Sequence, residues 1–311
     1  MGDSLADRPV DALDGILFRK GFQVLPGRGS GVMAFLDFGS SDRPVDLVFL
    51  HANGFNAGTY QSILGPLAAN YRILAIDQRG HGETSLETNL TGRRDWLDLR
   101  DDLLAFLTVL DLRHIVLSGH SMGATASLLA AAVEPIRCRR LVLFDPVILP
   151  HSPGAVPQDS ALEQAAGRRR EVFPSRAEAI RSYTGRGAFR TWPDGILRDY
   201  VAAGFHDLPS GEVTLACAPA WEASGYAAQG HDPWAALRLT QCPIDILRAE
   251  TASTFHIGEA STLAAGDRVR ITTVPRSTHF LPMERTDLVR SALAEAISGK
   301  SVSAVTAPVQ A

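Results

Sequence analysis

The pentapeptide Gly119-His120-Ser121-Met122-Gly123 fits the pattern G-x-S-x-G, which sets a serine hydroxyl on a sharp turn. The string alone is only suggestive, and its flanks give it meaning. HIVLS (114–118) reads as a strand before it, and the Ala- and Leu-rich run ATASLLAAAV (124–133) reads as a helix after it. Strand, turn and helix in that order make a nucleophile elbow. The turn strains the serine backbone, and only minimal side chains at 119 and 123 let strand and helix approach closely. The hydroxyl is then exposed, and the amide of Met122 stands at a helix N-terminus, suited to a developing oxyanion. The chemistry this implies is nucleophilic attack by Ser121 on a carbonyl carbon.

The elements that must hold this turn show as an alternation of short apolar runs and helical patterns. DLVFL (46–50), YRILAID (71–77), HIVLSG (114–119), RLVLFD (140–145), CPIDILRA (242–249) and RVRITTV (268–274) predict buried strands of a mostly parallel sheet. Residues 21–25 and 32–39 flank PGRGSG and predict an antiparallel hairpin leading into it. Between the strands, 96–110 places Leu99, Leu103, Phe106, Leu107 and Leu110 on one helical stripe, and 286–298 gathers Val289, Leu293, Ala296 and Ile297. Such alternation predicts an α/β class, doubly wound, with ligands outside the carboxyl ends of the strands. From Pro146 to Gln241 the rhythm breaks. No clear buried strand appears there, and the stretch holds Trp192, Trp221 and Trp234, three of four tryptophans. A segment that long is no loop. It predicts an inserted, mostly helical cap over 146–241, on a core made of 15–145 and 242–298, with 1–14 a loose leader and 299–311 a frayed tail.

Composition removes other classes. The chain has 311 residues, 45% hydrophobic and 21% charged, which excludes wholesale disorder. Lys plus Arg is 30 and Asp plus Glu is 34, a net charge of −4 that gives no footprint for nucleic acid. No apolar run approaches the ~20 residues of a membrane span, and the first residues lack a signal pattern, so a soluble cytoplasmic protein is expected. Cys138, Cys217 and Cys242 form no CxxC or Cys/His ligand spacing, which speaks against a disulfide framework and a zinc site. They read as three packed thiols, and no metal or cofactor is expected.

Four strings in order resemble the α/β-hydrolase family, in the group with cap insertions that includes esterases, haloalkane dehalogenases and epoxide hydrolases. They are His51-Ala52-Asn53-Gly54-Phe55, Asp77-Gln78-Arg79-Gly80-His81-Gly82, the elbow, and Ser277-Thr278-His279-Phe280-Leu281-Pro282-Met283-Glu284, each at the C-terminal end of a predicted strand. The resemblance runs from about residue 20 to 298 and implies an α/β-hydrolase fold. The string at 51–55 resembles the family's oxyanion loop, His-Gly-x, with Ala52 in place of glycine; by that match the amides of Asn53 and Met122 form the oxyanion hole. The string at 77–82 is similar to the family's loop of turns near the site, in which Asp77, Arg79 and His81 are structural. His279 is the general base expected among nine histidines, since it lies in the loop that the fold brings back over the elbow. His51 orders its loop and is also a substrate-binding candidate, while His206 and His231 lie in the cap.

The histidine needs an orienting acid. The family usually places it after the penultimate strand, but this chain reads Ala249-Glu250-Thr251-Ala252-Ser253-Thr254 there, with no aspartate. Some members carry the acid one strand earlier, where this chain has Asp145 before Pro146. Asp145 is therefore the first candidate and Glu250 the other. His51, Trp192, Trp221, Trp234 and Phe205 are the candidates for binding a small-molecule substrate. Serine at 121 rather than a carboxylate favours acyl transfer, so the expected activity is hydrolysis of carboxylic esters or lactones of small, partly apolar substrates. A cofactor-free perhydrolase (haloperoxidase-like) or a C–C bond hydrolase would use the same triad, and a binding protein on this scaffold is the other class.

Overall fold

Strands whose sequences are near-continuously apolar must be covered on both faces, and the chain is arranged around that need. The computed structural model describes residues 10–13, 16–150, 161–256 and 268–302. Its strands are β1 (Val10–Leu13), β2 (Ile16–Gln23), β3 (Met33–Phe38), β4 (Leu47–Leu50), β5 (Ile73–Ile76), β6 (Ile115–His120), β7 (Cys138–Phe144), β8 (Val172–Phe173), β9 (Phe205–Asp207), β10 (Val213–Leu215), β11 (Ile244–Ala249) and β12 (Val269–Val274). The α-helices are α1 (Gln61–Leu64), α2 (Leu97–Val109), α3 (Met122–Val133), α4 (Ala161–Gly167), α5 (Arg176–Tyr183), α6 (Asp194–Ala203), α7 (Pro219–Ala227), α8 (Pro233–Leu239), α9 (Leu281–Glu284) and α10 (Thr286–Ile297).

Nine strands form one sheet in the order β1-β2-β3-β5-β4-β6-β7-β11-β12. From β5 to β12 the pairs are parallel, and β1, β2 and β3 join as an antiparallel edge. This is the mostly parallel, helix-flanked sheet that the alternation predicts. One face is covered by α2, α3 and α8 through Leu99, Leu103, Phe106, Leu128 and Leu237. The other is covered by α1 and α10 through Ile63, Leu64, Val289 and Leu293, and its apolar cluster runs on into the cap through Tyr200, Phe205 and Val213. The parallel strands all point their carboxyl ends toward that cap, and β6 and β7 there deliver Ser121 and Asp145.

Several expectations need correction. The leader is not loose throughout, because Val10–Leu13 pairs antiparallel with β2, which itself begins at Ile16 rather than at residue 21. The tail is anchored at its start, where Val302 is buried against α10; 303–311, like 1–9, lie outside the described residues. The cap is not only helical, since β8, β10 and β9 form a small antiparallel sheet whose strands of two or three residues leave little periodicity to read. Its carboxyl boundary also falls earlier than 241. Helix α8 packs on α3 and belongs to the core. Among the described residues, no helix is long and apolar enough to cross a membrane. The thiols of Cys138 and Cys242 lie 3.7 Å apart, a proximity that sequence spacing does not reveal.

Trp234 on α8 is buried, packs near Phe255 and donates from Nε1 to the Leu149 carbonyl at 2.7 Å. It is a core residue rather than a pocket wall. Trp234→Ala is expected to destabilise the fold by about 3–5 kcal/mol, as a buried large-to-small change does, with acyl-chain preference unchanged. A urea titration and a p-nitrophenyl ester series check this; a loss under about 1 kcal/mol contradicts it.

Candidate active site

Ser121 joins β6 to α3 with φ 55 and ψ −120, a conformation side chains avoid unless the surroundings enforce it. The surroundings do so by steric means. A Cβ at Gly119 would stand 2.6 Å from the Gly123 carbonyl carbon, and one at Gly123 would stand 2.5 Å from the carbonyl oxygens of Leu50 and His51. The Ser121 amide donates to the Phe144 carbonyl at 3.0 Å, fixing the turn to the next strand.

Three predicted residues meet at this point. His279 Nε2 lies 3.0 Å from Ser121 Oγ, and His279 Nδ1 lies 2.6 Å from Asp145 Oδ2. The imidazole sits between β12 and α9, in a loop held by Glu284, which accepts from the Thr278 amide and hydroxyl at 2.7 Å each. Asp145 is fully buried. Burial raises its pKa, but the bond and charge of His279, with donations from Ser253 and the Ala249 amide, outweigh it and hold the carboxyl below its ordinary range. Ser253 Oγ donates at 2.6 Å, the Ala249 amide at 2.8 Å and the Thr254 amide at 3.0 Å. Glu250 is exposed and accepts from the Arg276 amide at 2.9 Å, away from the imidazole. The loop that lacks the usual aspartate thus supplies the donors for an aspartate one strand earlier. Nothing in the sequence singles out Ser253 and Thr254 themselves, although the missing acid marks their loop.

The loop after β4 faces the elbow. Its Ala52 amide donates to Tyr60 Oη at 3.2 Å, and its Gly54 amide donates to His81 Nε2 at 3.0 Å. Among the described residues none accepts from the amides of Asn53 or Met122, both buried, which leaves two donors free. The Asn53 side chain turns toward the cap and donates to the Glu222 carbonyl at 2.8 Å. The motif at 77–82 secures this loop from behind. The Gln78 amide donates to His51 Nε2 at 2.9 Å, Asp77 accepts from the Ala57 amide at 2.7 Å, and Arg79 pairs with the buried Asp102 at 2.6 Å. His51 is fully buried with both ring nitrogens engaged, Nδ1 toward the Ala52 carbonyl, so it lines no pocket and orders its loop instead.

Of the other substrate-binding candidates, the structure brings Trp192 to the site. Its ring is 5.2 Å from Phe55 of the loop after β4, 5.8 Å from Phe280, the neighbour of His279, and 6.0 Å from Tyr200. Phe55 and Phe280 lie within the strings at 51–55 and 277–284, but nothing in the sequence marks them as ring neighbours of Trp192. Phe205 packs on Phe173 inside the cap sheet. Trp221 donates to the Arg79 carbonyl at 2.9 Å and takes the Arg93 guanidinium at 4.0 Å over its ring. It borders an open cleft of about 440 Å³ that includes neither Ser121 nor His279. His206 is exposed, and His231 stacks on Trp96 at 4.5 Å. Among the described residues no group of three or more His, Cys, Asp or Glu is set to hold a metal ion.

Comparison with known proteins gives a consistent picture. A model described as the alpha/beta hydrolase family matches residues 47–292. A 2-(acetamidomethylene)succinate hydrolase of Mesorhizobium japonicum is 26% identical over 246 residues, 76% of this chain and 81% of that protein. A haloalkane dehalogenase of Agrobacterium fabrum is 31% identical over 105 residues, 33% of each chain. The crystal structure of E-2-(acetamidomethylene)succinate hydrolase superposes with a TM-score of 0.76 at 23% identity, covering 90% of this chain and 99% of that one.

The buried histidines set a pH dependence of stability. Burial pushes His51 well below its ordinary value, His81 to about 4 and His120 to about 3. When unfolded they take up protons near pH 6.5, so below that pH the unfolded chain binds more protons and stability falls. Asp77, which burial raises to about 6, works in the opposite sense as pH falls from about 6 toward 4. His231, which burial lowers to about 4, joins the other histidines, so with four groups against one Tm is expected to fall steadily from pH 7 to pH 5 in a thermal-melt series. A flat or rising Tm contradicts the assignment.

Proposed function

The chain belongs to the α/β hydrolase family, and we propose that within it this protein is a serine hydrolase that cleaves carboxylic esters, or lactones, of small, partly apolar substrates through an acyl-enzyme. The observation that carries this reading is His279 bridging Ser121 Oγ at 3.0 Å and Asp145 at 2.6 Å. Ser121 Oγ attacks the acyl carbon while its proton passes to His279 Nε2, and Asp145 accepts from Nδ1–H and stabilises the imidazolium. The amides of Asn53 and Met122 receive the oxyanion. His279 returns the proton to the leaving alkoxide, then takes one from the water that attacks the acyl-enzyme and passes it to Ser121 Oγ as the acyl–oxygen bond breaks and the acid leaves. The apolar wall of Phe55, Trp192 and Phe280 suits an uncharged acyl or alcohol group.

An alternative reading draws on the relative named for 2-(acetamidomethylene)succinate. The same triad would act on an acyl-amide or a C–C bond in a small carboxylate. A substrate panel of esters, lactones, N-acyl amides and β-keto acids separates the two by kcat/KM.

A fluorophosphonate probe is expected to label the wild type at Ser121 and to leave Ser121→Ala unlabelled. Asp145→Asn is expected to lower kcat for a short p-nitrophenyl ester by a factor on the order of ten thousand, while Glu250→Gln stays within about threefold. Failure of the folded wild type to label removes the nucleophile claim, and a large loss for Glu250→Gln with little for Asp145→Asn reverses the choice of acid.

A further inference from the structure

The serine hydrolase reading leaves two buried polar residues without a task, and both touch its parts. His120 precedes the nucleophile on β6, and Tyr60 lies just before α1; neither has measurable exposure. Tyr60 Oη lies 2.8 Å from His120 Nδ1 and accepts from the Ala52 amide at 3.2 Å. His120 Nε2 lies 2.7 Å from the carbonyl oxygen of His279. A carbonyl only accepts, so Nε2 carries the proton. In a neutral ring Nδ1 then accepts, and Tyr60 must be its donor. Burial, reinforced by the charge of His279, keeps this imidazole neutral, which agrees with that assignment. The direction of every bond follows: Ala52 N–H to Tyr60, Tyr60 O–H to His120, His120 N–H to the His279 backbone.

This chain of three bonds starts one residue before Asn53 and ends on the residue proposed as base. Among the described residues, Tyr60 is the acceptor for the Ala52 amide, and His120 is the donor to the His279 carbonyl. We propose that Tyr60 and His120 are positioning residues that tie the oxyanion loop to the His279 loop, so that the oxyanion amides and the base keep a fixed separation across Ser121. The proposal rests on the serine hydrolase reading and extends it. It explains why β6 ends in a buried histidine where an apolar residue would fill the space. An apolar residue would leave the His279 carbonyl and the Tyr60 hydroxyl without partners inside the protein.

The test is a double-mutant cycle on Tyr60→Phe and His120→Leu, with His120→Gln as the conservative variant. Each single change is expected to lower kcat by roughly 10- to 100-fold, with KM within about threefold, because transition-state geometry rather than binding is disturbed. Acting as one unit, the two changes together should cost no more than the worse single change, within about threefold. His120→Gln, whose side-chain amide supplies both a donor and an acceptor, should recover most of the loss. Tyr60→Phe is nearly isosteric and keeps the test valid if His120→Leu does not fold. Unchanged kcat in the folded variants, fully multiplicative losses, or losses confined to KM overturn the proposal. Its failure is distinct from failure of the hydrolase reading, which shows as an unlabelled wild type.

Another observation, independent of the catalytic reading, lies at the opposite end of the sheet. Cys138 opens β7 and Cys242 lies two residues before β11, the strand paired beside it. Their sulfurs are 3.7 Å apart. Cys242 is half-buried and lies outside the strand. We infer that Cys138 and Cys242 form a dithiol that a peroxide converts to an intramolecular disulfide. The Cys242 thiolate attacks a peroxide oxygen, giving a sulfenic acid and hydroxide. The Cys138 sulfur then displaces hydroxide from that sulfenic acid, which takes the Cys138 proton and leaves as water. The hydrogen bond it shares with Cys138, against the opposing effect of burial and with help from Arg268 and Arg140, lowers the Cys242 thiol and favours it as the attacking group. After hydrogen peroxide, denaturation and N-ethylmaleimide, mass spectrometry should show one adduct instead of three and a linked Cys138–Cys242 peptide, both lost in Cys242→Ser. Three adducts after peroxide, or oxygenated Cys242 with no link, overturn the inference.

Discussion

A carboxylate with no solvent exposure is stable only if protein groups take over the work of water, and Asp145 meets that condition in full. Ser253, Thr254 and the Ala249 amide donate to it, and His279 completes the set. Ala249 ends β11, Ser253 and Thr254 lie in the loop after it, and the acid itself follows β7, so the site depends on the pairing of two adjacent strands. The carboxylate in turn holds the imidazole in the tautomer that leaves Nε2 free to accept from Ser121. If the bond to His279 were lost, the buried carboxylate would keep its donors from Ala249, Ser253 and Thr254, but the imidazole would lose its orientation.

The other half of the site is held from the cap side. Tyr200 Oη lies 3.4 Å from the Gly54 carbonyl, and Arg169 reaches Tyr200 at 2.7 Å while pairing with Glu222, whose own carbonyl holds the Asn53 side chain. A Cβ at Gly54 would stand 2.5 Å from a Glu222 carboxylate oxygen, so the glycine of the loop after β4 allows the cap to pack against it. Elements far apart in sequence thus converge on a stretch of two residues. The core supplies rigidity through His51, Gln78 and His81, and the cap supplies the final constraint on the same peptide groups.

What the sequence made legible follows from the range of the forces involved. Apolar runs bounded by turn residues marked β4 to β7 and β11, because strands buried on both faces tolerate little else, whereas β12, expected as a buried strand, is an edge strand in which only Val274 is buried. The elbow was legible because close approach at 119 and 123 admits only glycine. Asp145 was reachable because a missing aspartate after β11 directed attention one strand back. Of the substrate-binding candidates Trp221 and Trp234, the first borders a cleft apart from Ser121 and His279 and the second packs in the core, since a tryptophan in a cap and one on a core helix look alike without the packing partner. The cap sheet escaped because its strands are too short to show alternation. Tyr60 and His120 escaped for another reason: their role lies in a chain of hydrogen bonds across about 230 residues of sequence, from Ala52 to His279, which no local pattern records.

The central claim, that His279 joins Ser121 to a buried Asp145, is tested most directly by proton NMR of the imidazole N–H in the resting protein. A short charge-assisted bond between Nδ1–H and the carboxylate shifts that proton far downfield and shields it from exchange. A far-downfield resonance is expected in the wild type that persists in Glu250→Gln and disappears in Asp145→Asn and in His279→Ala. A resonance unchanged in Asp145→Asn, or lost instead in Glu250→Gln, would contradict it.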